Sequence, residues 1–515
     1  MHADILIKNG KCITMNDQEI LNWVAIKNDK IIGLGHNENY DQFISTDTII
    51  LDAKKNTVIP GFIDSHFHVV LTALNAASLD LSKARSFEEI GRLISDASLK
   101  YPGKHIRGIH LQHELLKEHQ YPNRLILDKY CNNAPISLHS SDYQVSILNT
   151  YAMLYFKIPF TTIGVEIDEK QTPTGIFRNQ ANAILYLNTL KDVNDEYRKT
   201  VVSNVMNKLL SNGITTLHAM EGGRMCGGTD IDIDAEFIYR YAKEFPIDME
   251  LFYPTMNIDK IKTMSLNRIG GVIYIDGTIG GHTAALTFPY ADKPESKGNI
   301  WLPQDDINEF VLNCYKNKLQ LSLFTLGDRA VEAALIAHEK AIAQTGITGL
   351  RHRLEHVEIS SESQMMRAHN LGIIFSMQPT YELYWGGKGK MYEQHLGTHY
   401  ENTNSFKEII DNGVIICGGS DSDVTEPNPL LGIHSVVNHP VKSHRLDVFQ
   451  ALRLYTYNGA FGIFQENKKG SIELGKMADI VILNEDILSI APDKIKDVEV
   501  STTIKSGELL YNVNN

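Results

Sequence analysis

The sequence predicts an α/β fold: a (β/α)8, TIM-type barrel with a small β-sandwich built from both chain termini. Three observations lead there. Strand-like runs alternate with helical patterns eight times through the middle of the chain. Both ends read as short strands separated by turns. And 515 residues are enough for one large barrel with an added layer. The alternation alone would also suit a doubly wound sheet.

Residues 1–60 carry ADILIKNGKCITM, NWVAIKNDKIIGLG and TIILDAKKNTVIP, punctuated by Asn-Gly and Asn-Asp turns. Residues 465–515 repeat the style with GSIELGKMADIVILNED and VEVSTTIKSGELLYN. The two ends are expected to pair into one sandwich, leaving 61–464 for the barrel. Its candidate strands are Val58–His68, Gly213–His218, Ile247–Tyr253, Gly271–Gly277, Gln320–Leu326, His352–His356, Gly372–Gln378 and Val414–Asp421. Helical stretches such as DDINEFVLNCYKNK and RAVEAALIAHEKAIAQ lie between them. The stretch from about 75 to 200 exceeds one β–α unit and reads as an inserted subdomain.

Composition narrows the function. The chain is 43% hydrophobic and 22% charged, as soluble globular proteins are. It has no apolar run of the roughly 18–20 residues a membrane helix needs. Its start, MHADILIKNG, reads as a strand rather than a signal peptide, so the expected place is the cytoplasm, with no membrane partner. A net charge of −13 repels phosphate backbones and argues against nucleic acid. The five cysteines (Cys12, Cys131, Cys226, Cys314, Cys417) form no CxxC and read as reduced thiols. GGRMCGGTD (222–230) lacks the GK[ST] ending of a phosphate loop and reads as a flexible loop.

In a barrel of this kind, chemistry gathers at the C-terminal strand ends. His66 and His68, in GFIDSHFHVV, stand two apart and so point to one side of a strand. His218 ends GITTLH, Asp276 ends GVIYID, His356 ends HRLEH, and Asp421 ends VIICGGSD. Imidazoles with a carboxylate are the donors of a catalytic zinc that keeps one position open. Asp421 is then the natural base for an activated water. His218 is either a further ligand or a contact to substrate or ligand. Asp276, His282 in GGHTAAL and Gln378 in FSMQP are candidate substrate contacts, each with a structural alternative. QPTYELYWGGKGKMYEQH (378–395) reads as a mobile loop over the barrel mouth. There Tyr381 and Trp385 would stack on substrate, or pack against the subdomain or a second protomer.

Several segments together resemble the amidohydrolase superfamily, in the family-3 branch that includes N-substituted formamide deformylase. They are VIPGFIDSHFHVV, IDGTIGGHTAALTFPYADKPESKG, LGDRAVEAAL, RHRLEHVEIS, GIIFSMQPTY, GGSDSDVTEPNPLLGIHSVV and GSIELGKMADIVIL. The resemblance implies hydrolysis of a non-peptide C–N bond. It places His66, His68 and His356 at metal-ligand positions, and Asp421 at the position that binds metal and shuttles the proton. It also implies a dimer or larger assembly. Two positions depart from the family pattern. Val272 stands where two-metal members have a carbamylated lysine, and Phe324 where they have a histidine. Tyr143 stands near a further family histidine and is kept as a substrate contact.

The expectation is therefore one divalent ion per chain, zinc first, with iron or manganese also compatible with the donors. The enzyme would hydrolyse an amide, formamide or cyclic amide of a small molecule, with Asp421 as proton shuttle. A metal-dependent lyase, decarboxylase or isomerase on the same scaffold is the alternative, and a metal-free binding protein the third reading.

Overall fold

A computed structural model describes residues 2–16, 19–36, 39–141, 143, 145–224 and 230–513. Cys226 and most of the glycine-rich 222–230 stretch lie outside the described residues. The chain divides into two compact units, residues 1–69 with 205–515, and residues 70–204.

Eight strands organise the larger unit: β1 (Phe62–Phe67), β2 (Ile214–Ala219), β3 (Asp248–Leu251), β4 (Arg268–Tyr274), β5 (Gln320–Thr325), β6 (Arg353–His356), β7 (Ile374–Met377) and β8 (Ile416–Gly418). β3–β2–β1 form one sheet and β4–β5–β6–β7–β8 another, with every pairing parallel. Isolated parallel bridges join Tyr253 to Ile269 and Phe67 to Ser422, linking β3's end to β4 and β1 to the segment after β8. β1, β2 and β5 to β8 are buried at every residue. Burial on both faces suits a parallel sheet, and the polar residues these strands carry, such as Arg353 and Glu355 on β6, must then find partners inside.

Helices run between the strands, among them Ile233–Tyr241, Gln304–Lys316, Asp328–Thr345, Glu362–Leu371 and Phe406–Asp411. Their ends follow local chemistry. Ser361 caps Glu362–Leu371 with a reciprocal bond to Gln364, and Gly372 ends it at φ 67°. The 378–395 stretch differs from its reading as a loop. It holds two short helices, Thr380–Trp385 and Met391–Leu396, around the glycines. Buried Tyr392 anchors the second, its hydroxyl donating to Glu358 Oε2 at 2.6 Å. Helices this short depend on such packing rather than on propensity.

The chain ends share two sheets. One orders Lys30–Gly35, Trp23–Lys27, Ile5–Lys8 and Ile49–Asp52. The other orders Glu508–Asn512, Val500–Lys505, Ile480–Leu483, Thr57–Pro60, Lys11–Ile13 and Ile20–Leu21. Within it Thr57–Pro60 runs antiparallel to Ile480–Leu483, so the N- and C-terminal segments are hydrogen-bonded directly. One apolar cluster, including Ile5, Val24, Ile26, Val58, Ile480 and Ile504, draws on both sheets.

The smaller unit has a six-stranded sheet, Leu79–Asp80 and Ile106–Leu111 through to Val165–Ile167, with its own apolar clusters. No helix among the described residues is long and apolar enough to cross a membrane.

Candidate metal centre

The centre is built where β1 meets the segment after β8. His66 is the penultimate residue of β1 and His68 follows its end. Asp421 N–H donates to His66 O at 2.9 Å, and His68 N–H donates to Ser422 O at 3.0 Å. These reciprocal bonds hold the two segments in register. Gly419 makes the approach possible: a Cβ there would lie 2.6 Å from the His66 nitrogen. Asp64 ties the same segments, accepting from Ser420 N–H at 2.9 Å.

The side chains converge. His68 Nε2 lies 2.9 Å and His66 Nε2 3.5 Å from Asp421 Oδ1. The donor atoms of His66, His68 and Asp421 all lie within 4.8 Å of one another. His66 Nδ1 sits 2.7 Å from Glu355 Oε2. Glu355 is fully buried and ionised, so the Nδ1 proton points to it and the Nε2 lone pair is left facing the cluster. Burial alone would raise the Asp421 carboxyl, but His66, His68 and His356 outweigh it and hold it well below the usual range. Burial likewise opposes a charge on His68, yet Asp421 raises that imidazole to about 9. The three side chains thus face one another across the centre, and Asp421 Oδ1 has no hydrogen-bond partner there. A divalent cation satisfies the same lone pairs, and the donor set fits one.

His356 adjoins this set. Its ring centre is 4.9 Å from that of His66, and neither ring nitrogen has a hydrogen-bond partner although the residue is buried. His356 and Asp421 both adopt left-handed backbone, at φ 73° and 54°. Non-glycine residues take that region at a cost, and such strain gathers at functional sites. The Tyr381 hydroxyl donates to Asp421 Oδ2. Burial, then the Asp421 charge, push its pKa well above 10, so it stays a donor. Trp385 packs edge-on against Tyr381, ring centres 4.4 Å apart. Gln378, just past β7, is buried with both amide atoms unpartnered.

The remaining candidates stand elsewhere. His218, on β2, turns Nδ1 to Arg353 at 2.7 Å and is not one of the three converging donors. Asp276 lies beyond the end of β4, because that strand runs Arg268–Tyr274 rather than to Gly277. Its carboxylate accepts from Ala285, Leu326 and Gly327 N–H at 2.8–2.9 Å, which knits loops together. Burial pushes its pKa up to about 7 against those donors. His282 joins Asp292 and His395 in a separate cluster. Tyr143 belongs to the smaller unit, its hydroxyl 2.8 Å from Asn75 Nδ2.

The sequence profile of the amidohydrolase family (Amidohydro_3) matches residues 50–511. The chain belongs to the amidohydrolase family. It is 25% identical to Protein LONG AFTER FAR-RED 3 of Arabidopsis thaliana, over 99% of this chain and 92% of that one. It is 22% identical to N-substituted formamide deformylase of Arthrobacter pascens, over 99% and 98%. Its fold is shared by an uncharacterized metal-dependent hydrolase of Pyrococcus furiosus, with TM-score 0.78, 22% identity, and 94% and 100% of the two chains covered.

Two charged groups of this amidohydrolase escaped the motif reading. Glu355 and Arg353 sit within RHRLEH and pair in a fully buried site, Nε to Oε1 at 2.9 Å. Arg353 also donates to Ser65 O at 2.6 Å and Ser376 Oγ at 2.7 Å. The signal was there: charged residues alternating on a strand otherwise bound for the core need partners. Where the second metal's ligands would stand, Val272 packs with Met220, Phe252 and Ile463, and Phe324 lies 4.4 Å from the His356 ring.

Proposed function

We propose that this chain is a mononuclear, metal-dependent amidohydrolase. It cleaves a non-peptide C–N bond (amide, formamide or cyclic amide) of a small molecule. The convergence of His66, His68 and Asp421, with His66 oriented by Glu355, carries the proposal. Val272 and Phe324, both apolar and buried, support one ion at this centre rather than two. The printed name of the Arthrobacter relative makes substituted formamides the first substrates to try. The eight parallel strands with their two bridges support a closed (β/α)8 barrel over 61–464. The shared core of the terminal sheets supports a β-sandwich from 1–60 and 465–515. The smaller unit is then the insertion of about 75–200.

His66, His68 and Asp421 would hold the ion, zinc before iron or manganese, with His356 beside it. A divalent ion supplies Lewis acidity and a water of lowered pKa. Asp421 takes one proton from the attacking water and returns it to the leaving nitrogen, so the C–N bond breaks to acid and amine. Tyr381 holds Oδ2 by its hydroxyl, leaving Oδ1 toward the histidines. Glu355 keeps His66 in one tautomer, and Arg353 keeps Glu355 ionised. The unpartnered Gln378 amide is the polar contact we assign to substrate. A dimer working in the cytoplasm on small molecules completes the reading.

Two measurements test it together. His66→Ala should lower zinc content by about one ion per chain. The wild-type protein, offered N-substituted formamides, N-acyl amines and cyclic amides, should release amine. Bound metal with carbon dioxide or a rearranged product instead would favour the decarboxylase or isomerase reading. Unchanged metal content in His66→Ala would discard the ligand assignment.

A further inference from the structure

We propose that His282, Asp292 and His395 form a second, peripheral site for a zinc-type divalent cation, which pins the irregular segment 275–303 to the helix Met391–Leu396. The site shares no ligand with the first centre and does not depend on the reaction proposed above.

The three residues come from distant parts of the chain, yet their donor atoms lie within 4.8 Å of one another. His282 Nε2 is 3.0 Å from both Asp292 oxygens, and His395 Nδ1 is 2.6 Å from Oδ2. The two rings meet edge to face at 4.3 Å. Two imidazoles and a carboxylate select zinc-like ions over calcium or magnesium, which prefer all-oxygen shells. Ligands on a tetrahedral zinc stand about 3.4 Å apart, given bonds of about 2.0–2.1 Å. The observed spacings need only small side-chain shifts to reach that. The side chains are 22%, 37% and 17% exposed for His282, Asp292 and His395, so an ion can enter and water can complete its shell.

The backbone is already set for it. Ala291 N–H donates to His395 O at 2.7 Å, and His282 N–H to Ile279 O at 2.9 Å. His282 holds φ 55°, and the Tyr290 ring backs it at 4.9 Å. In the metal-free triad both nitrogens facing Asp292 must carry protons to donate. To bind zinc, each neutral ring moves its one proton to the outer nitrogen, so that the inner lone pair faces the ion.

The location gives the ion a task. No helix or strand among the described residues spans 275–303, a length that needs some other support. Ile279, Leu286 and Tyr290 from it share a cluster with Tyr392, Leu396 and Phe324. The Phe324 ring is 4.4 Å from His356. Stiffening this wall therefore reaches the first centre through packed side chains.

The experiment is zinc titration of the metal-free full-length protein, with bound ions counted by elemental mass spectrometry after desalting. Wild type should hold about two, and both His66→Ala and the His282→Ala/His395→Ala double variant about one. Combining the two changes should leave none. Asp292→Asn, nearly isosteric, should also lose one ion, which guards against a folding defect in the double variant. Zinc should slow hydrogen exchange across 275–303 in His66→Ala and not in the double variant. A double variant that binds as much zinc as wild type would overturn the proposal and leave a hydrogen-bonded triad only. So would a His66→Ala protein that binds none.

Discussion

Glu355→Gln separates the buried charge pair from the metal ligands it supports. Four donors converge on two oxygens: Arg353 Nε and Ser322 Oγ on Oε1, and Arg353 NH2 and His66 Nδ1 on Oε2. An amide replaces one oxygen by NH2. The better orientation puts NH2 at the Oε1 position, where Ser322 can rotate to accept. Arg353 Nε then faces a donor, and the guanidinium loses its counter-charge in a site with no solvent exposure. Removing one partner of a buried pair costs about 3–5 kcal/mol. Urea unfolding of the metal-free protein should therefore show a clear loss of stability at pH 7. His66 keeps its acceptor in this variant, so zinc affinity should fall by only about tenfold, the low end for an outer-shell change. Glu355→Ala removes the acceptor too, and affinity should fall about a hundredfold, or by about 2.7 kcal/mol. The assay is zinc competition against a chelator for wild type and both variants. If Glu355→Ala binds zinc as tightly as wild type, Glu355 does not orient His66. If Glu355→Gln unfolds at the wild-type urea concentration, the pair is not the buried support described here.

The other expectations are simpler. Asp421→Asn should lower kcat by about 10²-fold or more, the range of lost acid–base catalysis, measured as amine release on whichever amide the screen identifies. Tyr381→Phe removes one hydrogen bond to a carboxylate, worth about 1.5–3 kcal/mol; zinc content should hold while kcat falls and its acid limb moves upward. Asp248 lies at the junction of β3 with the C-terminal strands. Burial raises its pKa, but Lys469 and Lys505 outweigh that and bring it below 3.8. A depressed carboxyl stabilises the fold above its unfolded pKa and stops doing so as pH falls through its folded one. Wild type should thus lose more stability below pH 4 than Asp248→Asn does, by urea unfolding across pH 3–6.

Much of the fold was legible because its signals are local. The eight strand-like runs read from the sequence fall on β1 to β8 to within a few residues, and six of those strands are buried at every residue. HxH and GGSD were legible as one centre because polar groups ending apolar runs have few structural reasons to be there. What escaped depends on contacts across the chain. Arg353 and Glu355 look like two surface charges until β1, β5 and β7 surround them. Asp276 sits at what reads as a strand end, but the strand stops sooner and the carboxylate turns to three backbone donors. The short helices after Gln378 are held by Tyr392 and its neighbours, which no local propensity reports. His282 pointed to chemistry, but its partners lie 10 and 113 residues away along the chain, and no spacing rule joins them.

Val272 and Phe324 bear on the number of ions through their surroundings as well as their identity. A single substitution can delete a ligand while leaving its polar neighbours behind. Around Val272 that has not happened, whereas beside Phe324 the buried His356 keeps both ring nitrogens without partners. Val272 is embedded with Met220, Phe252 and Ile463, and Phe324 shares a cluster with Leu326, Ile359 and Tyr392. A lysine at the first position would lie in an apolar setting where its charge is costly. A histidine at the second would exchange ring packing against Tyr274 and His356 for an unpaired nitrogen. Among the described residues only two clusters have metal-ligand spacing, and neither includes a residue from these neighbourhoods. The side of the centre facing β4 and β5 is therefore repacked as a hydrophobic wall. Under the proposed hydrolysis, a substrate would lay carbon against this wall and turn its scissile bond toward His66, His68, His356, Gln378, Tyr381 and Asp421.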